Sequence, residues 1–205
     1  MTAHRQDTLG TPAAAGVTSK LDSRSLGFAC VVGSSIAVAD GVRLIVTRHQ
    51  DIPGFRDIDT VSALAQTMWA LGMASAFLGL LALHVTGDRV VNRWLTCVPV
   101  VGSALSAIGF VLLIAGVPTP RNVPAIVGQI LFMLGLLIVT VLVLVVRSWE
   151  GWRRFAPLLV LLAIPVGAML VELTKLDGVF IAVNAAALAL LGYAVGTTKP
   201  TRSLS

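Results

Sequence analysis

The chain has 205 residues, of which 56% are hydrophobic and only 12% are charged, and its formal net charge is +5. A soluble domain carries about a quarter charged residues, so this chain has too few of them to cover a water-soluble globule. The composition therefore excludes a soluble enzyme, a nucleic-acid-binding domain, a disordered chain and a disulfide scaffold. It predicts an all-α integral membrane protein.

The order of polar and apolar segments predicts six membrane-spanning helices. Residues 1–25 are rich in Thr, Ala, Ser and Gly and lack the apolar core of a cleavable signal peptide, which predicts a disordered cytoplasmic tail. Six apolar stretches follow, and each has close to the roughly 20 residues that a helix needs to cross a bilayer. They lie at 26–46, 61–86, 95–117, 123–146, 155–173 and 179–196. The short connections predict an up-and-down bundle over 26–197, with 198–205 as a second cytoplasmic tail.

The distribution of positive charge predicts the orientation, because cytoplasmic loops retain Lys and Arg. Ten of the fifteen Lys and Arg residues lie in the two tails and in the loops 87–94 and 147–154, whereas five lie on the opposite side. Both termini are therefore predicted to be cytoplasmic. We expect a multi-pass protein of the inner cell membrane, surrounded by membrane lipids.

Small residues on two helices predict close helix contacts. Gly102, Ser106 and Gly109 share one face of the third helix, and Gly72 and Gly79 share one face of the second. Such faces let helix backbones approach one another in membranes. We interpret them as packing signals without a chemical role.

Polar side chains inside the apolar stretches are the candidates for a functional site, because an ionisable group near the bilayer centre costs at least about 2.5 kcal/mol. At about 1.5 Å per residue, five of them fall in one layer, roughly 3–10 Å below the predicted outer boundary. With the neighbouring Arg43, they form a predicted outward-facing binding site, which consists of Asp40, Arg43, Gln66, Gln129, Glu172 and Asn184.

Asp40 allows two interpretations. Arg43 follows it by three residues on the same helix face, so the guanidinium can act as its counter-ion. Alternatively, Asp40 faces the bundle interior, where desolvation would raise its pKa and let it act as an acid. The loop 48–60 either covers the polar layer or only connects two helices, and Asp59 is expected to cap the second helix with Ser62 in its first turn.

The segment Pro53-Gly54-Phe55, followed by Asp59-Thr60-Val61-Ser62-Ala63-Leu64, resembles the corresponding segment of an uncharacterised family of six-span bacterial membrane proteins about 200 residues long. The resemblance covers the six-helix plan and that segment. It implies a fold and no activity.

The embedded carboxylates also resemble those of small integral-membrane terpene cyclases, which protonate isoprenoids. That resemblance implies Asp40 as the acid and Glu172 as the residue that orients it. The leading hypothesis is instead a binding or accessory protein for a small lipophilic or lipid molecule, and a proton-coupled transporter is a further alternative. No metal or cofactor motif is present in the sequence, and a partner membrane protein or a second copy of the chain is a candidate partner.

Overall fold

A computed structural model describes residues 22–47, 59–117 and 122–198. Six α-helices account for most of them: α1 Ser23–Thr47, α2 Thr60–Ala82, α3 Val90–Ile114, α4 Val123–Val146, α5 Ala156–Thr174 and α6 Asp177–Thr197. A short 3-10 helix, Gly151–Phe155, leads into α5. Six helical segments are long and apolar enough to cross a membrane, and the described ranges contain no β-strand, which confirms the all-α class.

Two predicted helix boundaries differ from the structure by four or five residues. The second helix ends at Ala82 and not near residue 86, because His84 adopts a left-handed backbone conformation with φ 53°. The N–H of Val85 then donates to the Leu80 carbonyl at 3.2 Å and closes the helix end. The third helix begins at Val90, five residues earlier than 95, because the apolar pair Val90 and Val91 continues the helix toward the loop.

The first helix begins at Ser23, so it includes the last residues of the predicted tail 1–25. Residues 1–21 of that tail, the end of the tail 198–205 and most of the loop 48–60 lie outside the described residues. The expectation that the loop covers a polar layer therefore stays a prediction.

The helices form a ring in which each packs against the next in sequence and α1 packs against α6. The packing is most extensive between α1 and α6 and between α3 and α4, whereas α4 and α5 contact each other little. We call the end of the bundle that holds Ser23 and Thr197 the terminal end. The opposite end, where α1, α3 and α5 finish, is the distal end.

Glycines hold the two tightest helix pairs together. A Cβ atom on Gly102 of α3 would lie only 2.4 Å from the backbone nitrogen of Phe132 in α4, which confirms the predicted small face. The α1–α6 crossing has glycine at both ends: a Cβ on Gly27 would lie 2.4 Å from the Gly196 nitrogen, and one on Gly41 would lie 2.7 Å from the Gly178 oxygen. The backbones approach too closely there for any side chain.

Candidate functional site

Four polar residues of α1 and α2 form a cluster at the distal end, which we call the distal charge cluster: Asp40, Arg43, Asp59 and Ser62. Arg43 Nη2 lies 2.9 Å from Asp40 Oδ1 and 3.0 Å from Asp59 Oδ2. The same nitrogen donates to Ser62 Oγ at 2.8 Å, and the Ser62 hydroxyl donates to Asp40 Oδ1 at 3.2 Å. One guanidinium therefore joins a carboxylate of α1 to the start of α2.

Local helix chemistry positions this cluster. Asp59 is the N-cap of α2 and accepts the backbone N–H of Ser62 at 2.6 Å, which confirms the predicted cap. That hydrogen bond lowers the pKa of Asp59 below its ordinary 3.8; burial opposes the shift and Arg43 adds to it. The side chain of Asp40 is only 3% exposed, and its Oδ2 is buried with no hydrogen-bond partner in the described part of the chain.

A cleft of about 160 Å³ opens between α2, α4, α5 and α6. It lies beside the loosely packed α4–α5 pair, and Met133 and Gln129 on its wall are exposed at the bundle surface. Most of the wall is hydrophobic and includes Met73, Phe132, Met133, Val160, Ile164 and Leu188. The cleft is thus a mostly apolar recess in the side of the bundle, which reaches from the middle of α2 to the first turn of α6 at Phe180.

Three polar side chains interrupt the apolar wall: Trp69, Gln129 and Asn184. The Trp69 Nε1 atom is buried and has no hydrogen-bond partner among the described residues. Asn184 is buried, and its amide nitrogen donates to the Phe180 carbonyl at 2.8 Å. Gln129 makes no side-chain hydrogen bond within the described ranges. An apolar wall with a few polar groups is typical of small-molecule sites.

The structure does not bring the six predicted site residues together. Asp40 and Arg43 lie in the distal charge cluster, whereas Gln129 and Asn184 line the cleft. Glu172 lies on the surface, where its side chain is 80% exposed and accepts from Lys175 Nζ at 2.8 Å. Gln66 is buried on α2 without lining the cleft. Asp40 and Glu172 do not form the acid pair that the cyclase resemblance implies.

Trp69 lines the cleft but was not among the site residues predicted from the sequence. The sequence contained a signal for this residue. Trp69 lies nine residues inside α2, whereas tryptophans of membrane proteins usually lie at the membrane–water interface. A tryptophan at mid-helix depth must either pair its N–H within the protein or leave it unpaired.

Within the described ranges, no three His, Cys, Asp or Glu side chains come together as a potential metal site. Comparison with known proteins gives no further guide to function: no protein-family model, curated protein or solved structure matches this chain. The resemblances to six-span bacterial proteins and to membrane cyclases thus stay predictions.

Proposed function

We propose that this protein is a multi-pass membrane protein that binds one lipophilic molecule in the cleft, and that this molecule carries a hydrogen-bond acceptor such as a carbonyl oxygen. The observation that carries the proposal is the mostly apolar cleft, whose lining includes Trp69, a residue with a buried Nε1 that has no hydrogen-bond partner among the described residues. The binding role is the leading function expected from the sequence. Its location in the α4–α5 cleft comes from the geometry.

The position of the cleft favours a ligand that arrives from the bilayer. Its walls belong to four helices, each apolar enough to cross a membrane, and it opens sideways beside Met133. A molecule entering there would move from lipid and not from water. Lipophilic compounds are concentrated in that phase, so even modest affinity fills the site.

The size of the cleft limits what it can hold. Cavities of about 150 Å³ lined by Leu, Ile and Phe hold one benzene-sized molecule. The cleft, at about 160 Å³, therefore suits one ring or a short chain segment, with the rest of a longer molecule extending into lipid.

The polar groups indicate why the ligand carries an acceptor. A buried N–H without a partner costs about 1–3 kcal/mol, and an acceptor on a ligand would remove that cost. The Trp69 N–H can only donate, so it selects carbonyl, ether or hydroxyl oxygen over a second donor. Gln129 offers both an acceptor and a donor at the edge of the same recess.

The geometry favours binding over acid catalysis or proton coupling. None of the carboxylates in the described ranges lines the cleft. Asp40 is held by Arg43 and Ser62, and Glu172 by Lys175. A proton donor for a bound isoprenoid would have to contact it, and neither carboxylate is placed to do so.

The charges support the orientation in which both termini are cytoplasmic. In the described ranges, the terminal end carries six arginines and three acids, whereas the distal end carries two bases and four acids. Excess positive charge marks the cytoplasmic side of membrane proteins. The distal charge cluster would then face the outer side.

A matched pair of probes tests the proposed function. We would measure the binding of methyl octyl ketone and of decane, which differ by one carbonyl oxygen, by the rise in unfolding temperature of the purified protein. We expect the ketone to bind about five-fold more tightly because it accepts the Trp69 N–H. Trp69→Phe keeps an aromatic ring but removes the donor, so it should abolish the difference.

Trp94→Phe is the control, because Trp94 is 72% exposed and does not line the cleft. It should leave the preference for the ketone unchanged. Equal binding of ketone and decane to the wild type would refute the selection of an acceptor. If neither compound binds, the cleft is not a ligand site.

A further inference from the structure

We propose that Arg154 forms a second site, at the terminal end, which binds the phosphate of an anionic lipid headgroup. The Nε atom of Arg154 is buried and has no hydrogen-bond partner in the described part of the chain. Its guanidinium stacks over the Phe155 ring, with 4.6 Å between Cζ and the ring centroid. No carboxylate among the described residues pairs with it, although Glu150 lies four residues away. Arg154 is thus a partly buried cation with unused donors.

The segment that carries Arg154 is fixed at several points. Ser148 Oγ donates to the Val85 carbonyl, and Trp149 is buried in the core at 5% exposure. Trp152 stacks on Tyr193 of α6 with ring centroids 6.4 Å apart. Because these contacts hold the turn between α4 and α5, the Arg154 backbone needs little ordering when it binds a ligand.

The neighbouring Arg153 differs from Arg154 because it already has a structural role. Arg153 Nη2 donates to the Thr197 carbonyl at 3.4 Å and to its hydroxyl at 3.3 Å, at the carboxyl end of α6. A cation is favourable there because the last carbonyls of a helix carry partial negative charge. Among the described residues Arg154 has no such hydrogen-bond partner, so its charge is available to a ligand.

The phosphate of a lipid headgroup matches both the chemistry of the Arg154 side chain and its position at the end of a membrane span. The planar guanidinium donates two parallel hydrogen bonds to phosphate oxygens. Arg154 lies at the start of the candidate span Gly151–Thr174. Lipid headgroups contact the first turn of a membrane helix at that depth. Trp152 and Tyr193 are exposed at the same end of the bundle, as expected of aromatic side chains at a membrane interface.

Lipid titration followed by native mass spectrometry tests this site. Protein in a zwitterionic detergent would be titrated with phosphatidylglycerol and, separately, with phosphatidylcholine. We expect the wild type to prefer phosphatidylglycerol, and Arg154→Gln to weaken its binding about ten-fold. Arg154→Lys should lose a similar factor, because lysine keeps the charge but not the paired donors.

Arg89→Gln is the matched control. Arg89 lies at the same end, is exposed and forms no side-chain hydrogen bond or ion pair within the described ranges. Its loss should therefore weaken binding less than three-fold, which is roughly the effect of a distant charge. Helical content and a single gel-filtration peak would show that each variant is folded. Equal losses for Arg89→Gln and Arg154→Gln would overturn the site in favour of general attraction by charge.

Two other outcomes would also overturn the proposal. Arg154→Lys with wild-type affinity would show that no paired hydrogen bonds form. Displacement of phosphatidylglycerol by an equal concentration of inorganic phosphate would identify a soluble anion, and not a lipid, as the ligand. Retention of the lipid against phosphate is the expected result.

Discussion

Replacing Arg43 by methionine should destabilise the bundle by about 2–3 kcal/mol. The change leaves Asp40, whose side chain is 3% exposed, without its counter-ion. Removing one partner of a fully buried ion pair costs about 3–5 kcal/mol, because the remaining charge is desolvated and unpaired. Arg43 itself is 34% exposed, so water can replace part of its contact, which places the expected cost below that range.

The assay is the loss of helical circular dichroism of the purified protein as sodium dodecyl sulfate is titrated into a mild detergent. Lys175→Met is the control, because Lys175 and Glu172 form an ion pair with the same three-residue spacing but are 71% and 80% exposed. That variant should lose less than about 0.5 kcal/mol.

A double variant isolates the contact itself. In an Asp40→Asn background, Arg43→Met should cost at least about 1 kcal/mol less than in the wild type, because no buried negative charge then remains. The reasoning is refuted if Arg43→Met and Lys175→Met cost the same, since Asp40 would then be solvated as well as Glu172 is.

Three further predictions concern packing, pH and orientation. Gly27→Ala should destabilise the protein by about 1–3 kcal/mol in the same titration, because its Cβ would meet the Gly196 backbone at 2.4 Å, whereas Gly196→Ala, whose nearest contact is 3.6 Å, should be tolerated. The lowered pKa of Asp59 contributes stability above pH 3.8 that is lost as the pH falls further, so Asp59→Asn should be less stable than the wild type near neutral pH and lose that difference in acid. Glu172→Cys should react with a membrane-impermeant thiol reagent added outside intact cells and Arg89→Cys only after permeabilisation; the opposite pattern would reverse the proposed orientation.

The helical architecture could be predicted from the sequence because it depends on segment length and apolar content, both of which are local. The close-packing face of α3 was also predictable, since Gly102 and Gly109 lie seven residues apart on one face, but the partner α4 is known only from the structure. The glycines of the α1–α6 crossing were not predicted. Gly27 and Gly41 lie fourteen residues apart in a helix with other small residues between them, so only the partner helix shows which ones are in contact.

The candidate site was harder to predict because a sequence gives the depth of a helical residue but not its direction. Counting residues from a helix end places Gln129, Glu172 and Asn184 in one layer. Each step along a helix also turns the side chain by about 100°, and the rotation of each helix about its axis is set by packing against its neighbours. Glu172 is also only two residues from the end of α5, and its side chain lies at the surface, whereas Asn184, seven residues inside α6, lines the cleft.

The rotation of each helix about its axis also separates the polar groups into a charged cluster and an uncharged cleft. Asp40 and Ser62 meet across α1 and α2, where Arg43 neutralises the carboxylate. Gln129 and Trp69 line the space where α4 and α5 pack loosely, and no charged group in the described ranges lies on that wall. An unpaired donor on an uncharged wall recognises a neutral lipophilic molecule better than an ion, because an ion would lose its hydration without a counter-charge.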